Sequence, residues 1–169
     1  MATARSNIAL IGMPGAGKST IGVLLAKRLG KGFVDTDLVI QTAEGRTLQQ
    51  IVDSEGHLAL RPIEEREIVA LQVRDHVIAT GGSAAYSDRA MAALRTHAVI
   101  VYLDTPLRDI EVRVRNLNDR GLSMAAGQTL ADLYAERTPL YVRHADLRVD
   151  CAGLDQEAVV EAVVRALRV

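Results

Sequence analysis

The chain carries one cysteine, no surplus of either charge and no long apolar run. A lone thiol, Cys151, cannot close an internal disulfide, and with nothing nearby to activate it Cys151 reads as a small core side chain. Twenty basic and twenty-one acidic residues leave a formal charge of -1, so no basic excess is there to neutralise a run of phosphates. Nucleic acid is therefore not an expected partner. No window approaches the roughly 18 apolar residues of a membrane span, and the apolar part of "MATARSNIALIG" is too short for a signal peptide. The expectation is a cytoplasmic protein that acts away from membranes as a monomer. His57, His76, His97 and His144 lack the spacing of a structural zinc site.

At 169 residues and 49% hydrophobic composition, the chain suits one substantial core, and a single domain over 1 to 169 is expected. Short β-branched runs alternate with longer amphipathic stretches. "NIALI" (7 to 11), "GFVDTD" (32 to 37), "HVIAT" (76 to 80), "AVIVYL" (98 to 103) and "DLRVD" (146 to 150) read as strands separated by helices. Such spacing needs crossover connections, which predict an α/β fold with a mainly parallel sheet covered on both faces. "STIGVLLAKRLG" (19 to 30) predicts a helix stopped by Gly30, and "DQEAVVEAVVRALRV" an amphipathic helix closing the sheet. Thr105 is expected to cap a helix with Pro106 at its first position. The polar, glycine-punctuated stretch at about 118 to 128 suits a mobile lid.

"GMPGAGKST" (12 to 20) places Gly12, Gly17, Lys18 and Ser19 in the GxxxxGK[ST] pattern, between an expected strand and an expected helix. Glycines let successive N–H groups curl inward on an anion, and the helix that follows adds the positive end of its dipole. Lys18 would reach the outer phosphates, Ser19 would ligate magnesium and Thr20 would touch an inner phosphate. An NKxD guanine motif and an ABC-type signature are both missing, so small-molecule kinases remain. Their task is to hold an acceptor hydroxyl in line while spreading positive charge over the moving phosphoryl group.

Asp35 and Asp37, at the end of the second strand, could diverge toward metal and acceptor, although Asp37 also suits a helix N-cap. Asp104 is a rival carboxylate, better read as a turn residue. Arg61 precedes Pro62, which disfavours α geometry at Arg61 and fits a helix beginning at Pro62; its guanidinium beside that helix start suits a carboxylate. Arg137 and, in the lid segment, Arg120 are the other notable cations; taken singly, each of the three arginines is more often a solvated surface residue. "TGGS" (80 to 83) is a second glycine-rich turn where bare backbone can approach a ligand.

Taken in order, "GMPGAGKSTIG", "FVDTD", "EGHLALR", "IATGGS", "DRGL", "ERTPLY" and "ADLRVD" resemble the shikimate kinase family over essentially the whole chain. The resemblance implies a three-layer P-loop fold like that of nucleoside-monophosphate kinases, with a five-stranded parallel sheet and a lid. It also implies ATP as cosubstrate, Mg2+ as cofactor, and transfer of the γ-phosphoryl to the 3-hydroxyl of shikimate in aromatic amino-acid biosynthesis. By motif position, Gly12, Gly15, Ala16, Gly17, Lys18, Ser19 and Thr20 would hold the nucleotide, with Arg113 near adenine and Arg120 reaching the nucleotide from the lid. Ser19 and Asp35 would serve the metal. Asp37, Arg61, Glu64, Gly81, Gly82 and Arg137 would bind the acceptor, with Lys18, Asp37 and Arg120 catalytic. The other readings are a relative with a different hydroxy-acid or polyol acceptor and an ATP-binding protein without catalysis.

The chain departs from the family pattern at Leu60, in place of phenylalanine, at Gly121 and Ser123 in the lid, and at Gln156, where a proline often lines the adenine site. Ser83 replaces the last glycine of a three-glycine turn. A strained backbone is the expectation there, since glycine's conformational freedom is lost.

Overall fold

The computed structural model describes residues 5 to 115 and 124 to 168. Five strands appear among them where the sequence predicts them: β1 (Asn7–Ile11), β2 (Gly32–Asp35), β3 (His76–Ala79), β4 (Ala98–Asp104) and β5 (Leu147–Asp150). They form one parallel sheet in the order β2-β3-β1-β4-β5. β1 is buried along its whole length because both its faces are covered. Ala9 and Ile11 join Ile78, Ile100 and Tyr102 on one face, while Ile8 and Leu10 join Val77, Val101 and Leu103 on the other. This explains why "NIALI" is a continuous apolar run rather than an alternating one.

Helices α1 (Lys18–Leu29) and α8 (Gln156–Leu167) cover the second face through Ile21, Leu25, Val160 and Val163. Helices α4 (Leu60–Ala70), α5 (Asp88–His97), α6 (Leu107–Arg115) and α7 (Leu130–His144) cover the first through Ile68, Met91, Ile110 and Tyr141. β1 thus sends its chain to one face of the sheet while its neighbours β3 and β4 send theirs to the other. A crevice opens at the carboxyl ends of such strands. Beside it, α2 (Thr36–Glu44), α3 (Leu48–Glu55) and the start of α4 build a small apolar cluster of Ile40, Ile51, Leu60 and Ile63. None of the described helices is long and apolar enough to cross a membrane.

Two helix starts differ from expectation. α4 begins at Leu60, before Pro62, because the chain is already turning: Ala59 N–H donates to Gly56 O and Arg61 N–H to Leu58 O, both at 3.2 Å. Proline's missing N–H costs nothing within a first turn, so the bias against α geometry at Arg61 is overridden. α6 begins at Leu107, with Pro106 O accepting the N–H groups of Asp109 and Ile110 at 3.0 and 3.2 Å. The Thr105 hydroxyl is turned instead toward Ala16 O, 3.5 Å away.

Candidate active site

The loop between β1 and α1 is shaped by its glycines. Gly15 and Gly17 have φ of 79° and 93°, conformations that side chains other than glycine rarely adopt. A Cβ on Gly12 would lie 2.9 Å from Leu103 O. The first bond of α1 runs from Ile21 N–H to Gly17 O at 2.8 Å, so the N–H groups of Lys18, Ser19 and Thr20 lie ahead of the helix ladder, where an anion binds. Lys18 Nζ folds back on the loop and donates to Gly12 O and Met13 O, each at 2.8 Å. Burial brings its pKa down to about 8; Asp37 opposes the shift and Arg137 adds to it. A phosphate would give this ammonium the full negative charge that two carbonyls supply only in part.

Asp35, not Asp37, caps α2. Its Oδ1 accepts Asp37 N–H at 2.9 Å and its Oδ2 accepts the Ser19 hydroxyl at 2.5 Å. A carboxylate on a strand's last residue reaches the N–H two positions on, and this leaves the Asp37 side chain to face the crevice. The pairing of Ser19 with Asp35 suits Mg2+, which takes few protein oxygens and fills its octahedron with water and phosphate. No group of three or more His, Cys, Asp or Glu side chains among the described residues forms a dedicated metal cage.

Lys18, Asp37, Glu64, Gly81, Gly82 and Arg137 converge on one cavity of about 280 Å³, with Ile40, Leu48 and Leu60 as its apolar side. Both glycines are needed for close approach: a Cβ on Gly81 would lie 2.4 Å from Glu64 Oε1, and one on Gly82 2.7 Å from Arg137 Nη1. Tyr141 fixes the turn by donating to Gly82 O at 2.6 Å, and Gly81 N–H donates to Thr36 Oγ1 at 3.1 Å. Ser83 has φ of -94° and ψ of -2°, ordinary values for any residue, so the expected strain is absent. Its hydroxyl donates to Glu64 Oε2 at 2.5 Å. Burial pushes the Glu64 carboxyl up to about 7; the Ser83 bond acts against that rise and Asp37 adds to it. The Asp37 carboxyl is also raised, first by burial and then by Asp35, with Lys18 opposing.

Arg137 is 1% exposed. Its Nε donates to the Tyr86 hydroxyl at 3.3 Å, and that hydroxyl donates to Glu136. Arg61 lies outside the walls of the 280 Å³ cavity. It stacks on the Tyr86 ring, 3.7 Å from the centroid, 4.0 Å from Glu136, and lines an adjoining hollow that also contains Glu64 and Ser83. On the other side of the glycine loop, Gly15, Ala16, Thr20, Arg113, Cys151 and Gln156 border a groove of about 480 Å³. Arg113 donates to Gly15 O and Ala16 O at 3.2 and 3.3 Å, bracing the loop from that side.

Comparison with known proteins bears directly on this arrangement. The family model described as Shikimate kinase matches residues 14–168. The chain belongs to the shikimate kinase family. A shikimate kinase from Mycobacterium avium (strain 104) is 42% identical over 163 residues, covering 94% of this chain and 91% of that protein. One from Gloeobacter violaceus is 38% identical over 162 residues, covering 94% and 90%. Among solved structures, the shikimate kinase from Acinetobacter baumannii in complex with shikimate superposes with a TM-score of 0.87 at 29% identity, covering 96% of this chain and 93% of that one.

Against this shikimate kinase background, the chain's expected loop residues and Asp35, Asp37, Glu64, Gly81, Gly82 and Arg137 come together, Arg113 borders the neighbouring groove, and Arg61 stands one ring away. Arg120, Gly121, Ser123 and most of the lid segment lie outside the described residues. Reading the sequence alone misses Tyr86, Tyr141 and the Ser83–Glu64 bond. No local pattern marks Tyr86, Tyr141 stands in "ERTPLY" without a role of its own, and Ser83 is visible only as a departure from glycine.

A carboxyl whose folded pKa is raised favours folding while protonated; for Glu64 that contribution is complete below 4.5 and is lost as pH climbs through about 7. Glu64→Gln cannot ionise and keeps the shape, so it should gain stability over wild type between pH 5 and pH 8, by up to about 3 kcal/mol. Urea unfolding at each pH measures this, and a difference that does not change with pH would contradict it.

Proposed function

We propose that this chain transfers the γ-phosphoryl group of ATP to the 3-hydroxyl of shikimate, as one catalytic domain acting as a monomer in the cytoplasm. One observation carries the reading: a phosphate-type lysine, two carboxylates and a buried arginine open onto the same cavity, at the carboxyl ends of parallel strands. The names of the relatives supply the acceptor. Arg137 receives the acceptor carboxylate, because a guanidinium fork matches that group and is already seated beside Gly82. Arg61 approaches it from across Tyr86.

Asp37 accepts the hydroxyl that is to be phosphorylated and orients it toward the loop. Its raised affinity for protons suits a group that takes the hydroxyl proton as the new O–P bond forms. Glu64 accepts a further hydroxyl of the ring. Lys18 leaves the loop carbonyls for the β- and γ-phosphates, while Ser19 and Asp35 would hold Mg2+, which would supply charge to neutralise the nucleotide. ATP lies with its base in the groove bordered by Arg113, and Arg120 brings a further positive charge from the lid.

Coupled ADP release with ATP and Mg2+ tests the reading, with shikimate, quinate, gluconate and no acceptor compared. Turnover that saturates with shikimate below the millimolar range is expected; nucleotide binding with no shikimate-dependent turnover would refute it. Asp37→Asn should lower kcat about a hundredfold or more with a smaller change in the KM for shikimate. A variant as fast as wild type would remove Asp37 from the chemistry.

A further inference from the structure

The two oxygens of Glu64 differ in their surroundings. Oε2 accepts the Ser83 hydroxyl at 2.5 Å. Oε1 is buried and has no hydrogen-bond partner among the described residues, and it occupies the space that Gly81 leaves beside Asp37. Glu64 is 2% exposed and Ser83 7%, so neither is satisfied by bulk solvent. Lys18 faces the carboxylate from α1, Asp37 from α2, and Arg137 and Tyr141 from α7. The two cations favour its ionised form and Asp37 its neutral form. A hydroxyl carries one proton to donate, and Ser83 gives it to Glu64.

We propose that Ser83 is a positioning residue, whose hydroxyl fixes the orientation of Glu64 and favours its ionised form, with Oε1 presented to the cavity as a hydrogen-bond acceptor. A glycine at position 83 would fit the backbone without performing either task. The inference rests on the acceptor reading above for its catalytic consequence, but the Ser83–Glu64 coupling is a property of the ligand-free protein. Losing a donor to a charged oxygen strengthens that oxygen's hold on a proton. Glu64 in a variant without the hydroxyl therefore stays protonated to higher pH, and a protonated carboxyl is a poorer acceptor for a substrate hydroxyl.

The test is a carbon NMR titration of the Glu64 carboxyl in the ligand-free protein, assigned with Glu64→Gln, for wild type, Ser83→Ala, Ser83→Gly and Ser83→Thr. The two hydroxyl-free variants should raise the proton affinity of Glu64 about tenfold, and Ser83→Thr should restore it. The acid limb of kcat/KM for shikimate should move with the carboxyl in each variant. An unmoved titration in both hydroxyl-free variants would overturn the proposal whatever the acceptor proves to be, as would an acid limb that ignores a shifted carboxyl. A shifted and rescued titration in a protein that never turns over shikimate would uphold the coupling and refute the acceptor reading instead.

Discussion

Lys18, Asp37, Glu64 and Arg137 share one buried space, and the charges of Lys18 and Glu64 each depend on the other three groups. Removing such groups from water is costly unless opposite charges and hydrogen bonds compensate. Lys18 is drawn down to about 8 and Glu64 up to about 7, which shows that the compensation is partial in the ligand-free protein. The deficit has a shape: Lys18 meets only two loop carbonyls, and Glu64 Oε1 lacks a donor among the described residues. A phosphorylated nucleotide, and an acid that also carries hydroxyls, would meet those needs together.

The sheet makes the arrangement possible. Its central strand ends at the glycine loop, β2 ends at Asp35 and β3 ends at the Gly81–Gly82 turn, so three carboxyl ends deliver backbone N–H groups and carboxylates to one edge. The second layer then sets the distances. α4 brings Glu64 and α7 brings Arg137, and each comes so close to the turn that a Cβ on Gly81 or Gly82 would collide with it. The apolar cluster of α2, α3 and α4 carries the opposite wall through Ile40 and Leu60.

What could be read from the sequence was local. The strands and the phosphate loop were legible because apolar runs, glycines and a helix stop lie within a few residues of one another. The DTD stretch was legible as a pair of carboxylates but not as a division of labour, since only the cap geometry assigns Asp35 to the backbone and leaves Asp37 to the cavity. Long-range pairings stayed hidden: Ser83 and Glu64 are 19 positions apart, and Tyr86 and Arg137 are 51 apart. Ser83 is the instructive error. A missing glycine suggests strain, whereas the backbone there is ordinary and the side chain has a partner. Arg61 is legible in the sequence as a cation near a helix start, yet its seat on Tyr86 follows from packing that no motif encodes.

On the proposed reading, one cavity orients a hydroxy acid with its carboxylate at Arg137 and its reacting hydroxyl at Asp37. A crystal structure with shikimate and a non-hydrolysable ATP analogue tests this most directly. The 3-hydroxyl should lie within about 3 Å of the Asp37 carboxyl, on the side of the terminal phosphate, with the carboxylate on the Arg137 guanidinium. An acceptor bound in the reverse sense, or one seated away from Asp37, would contradict the account.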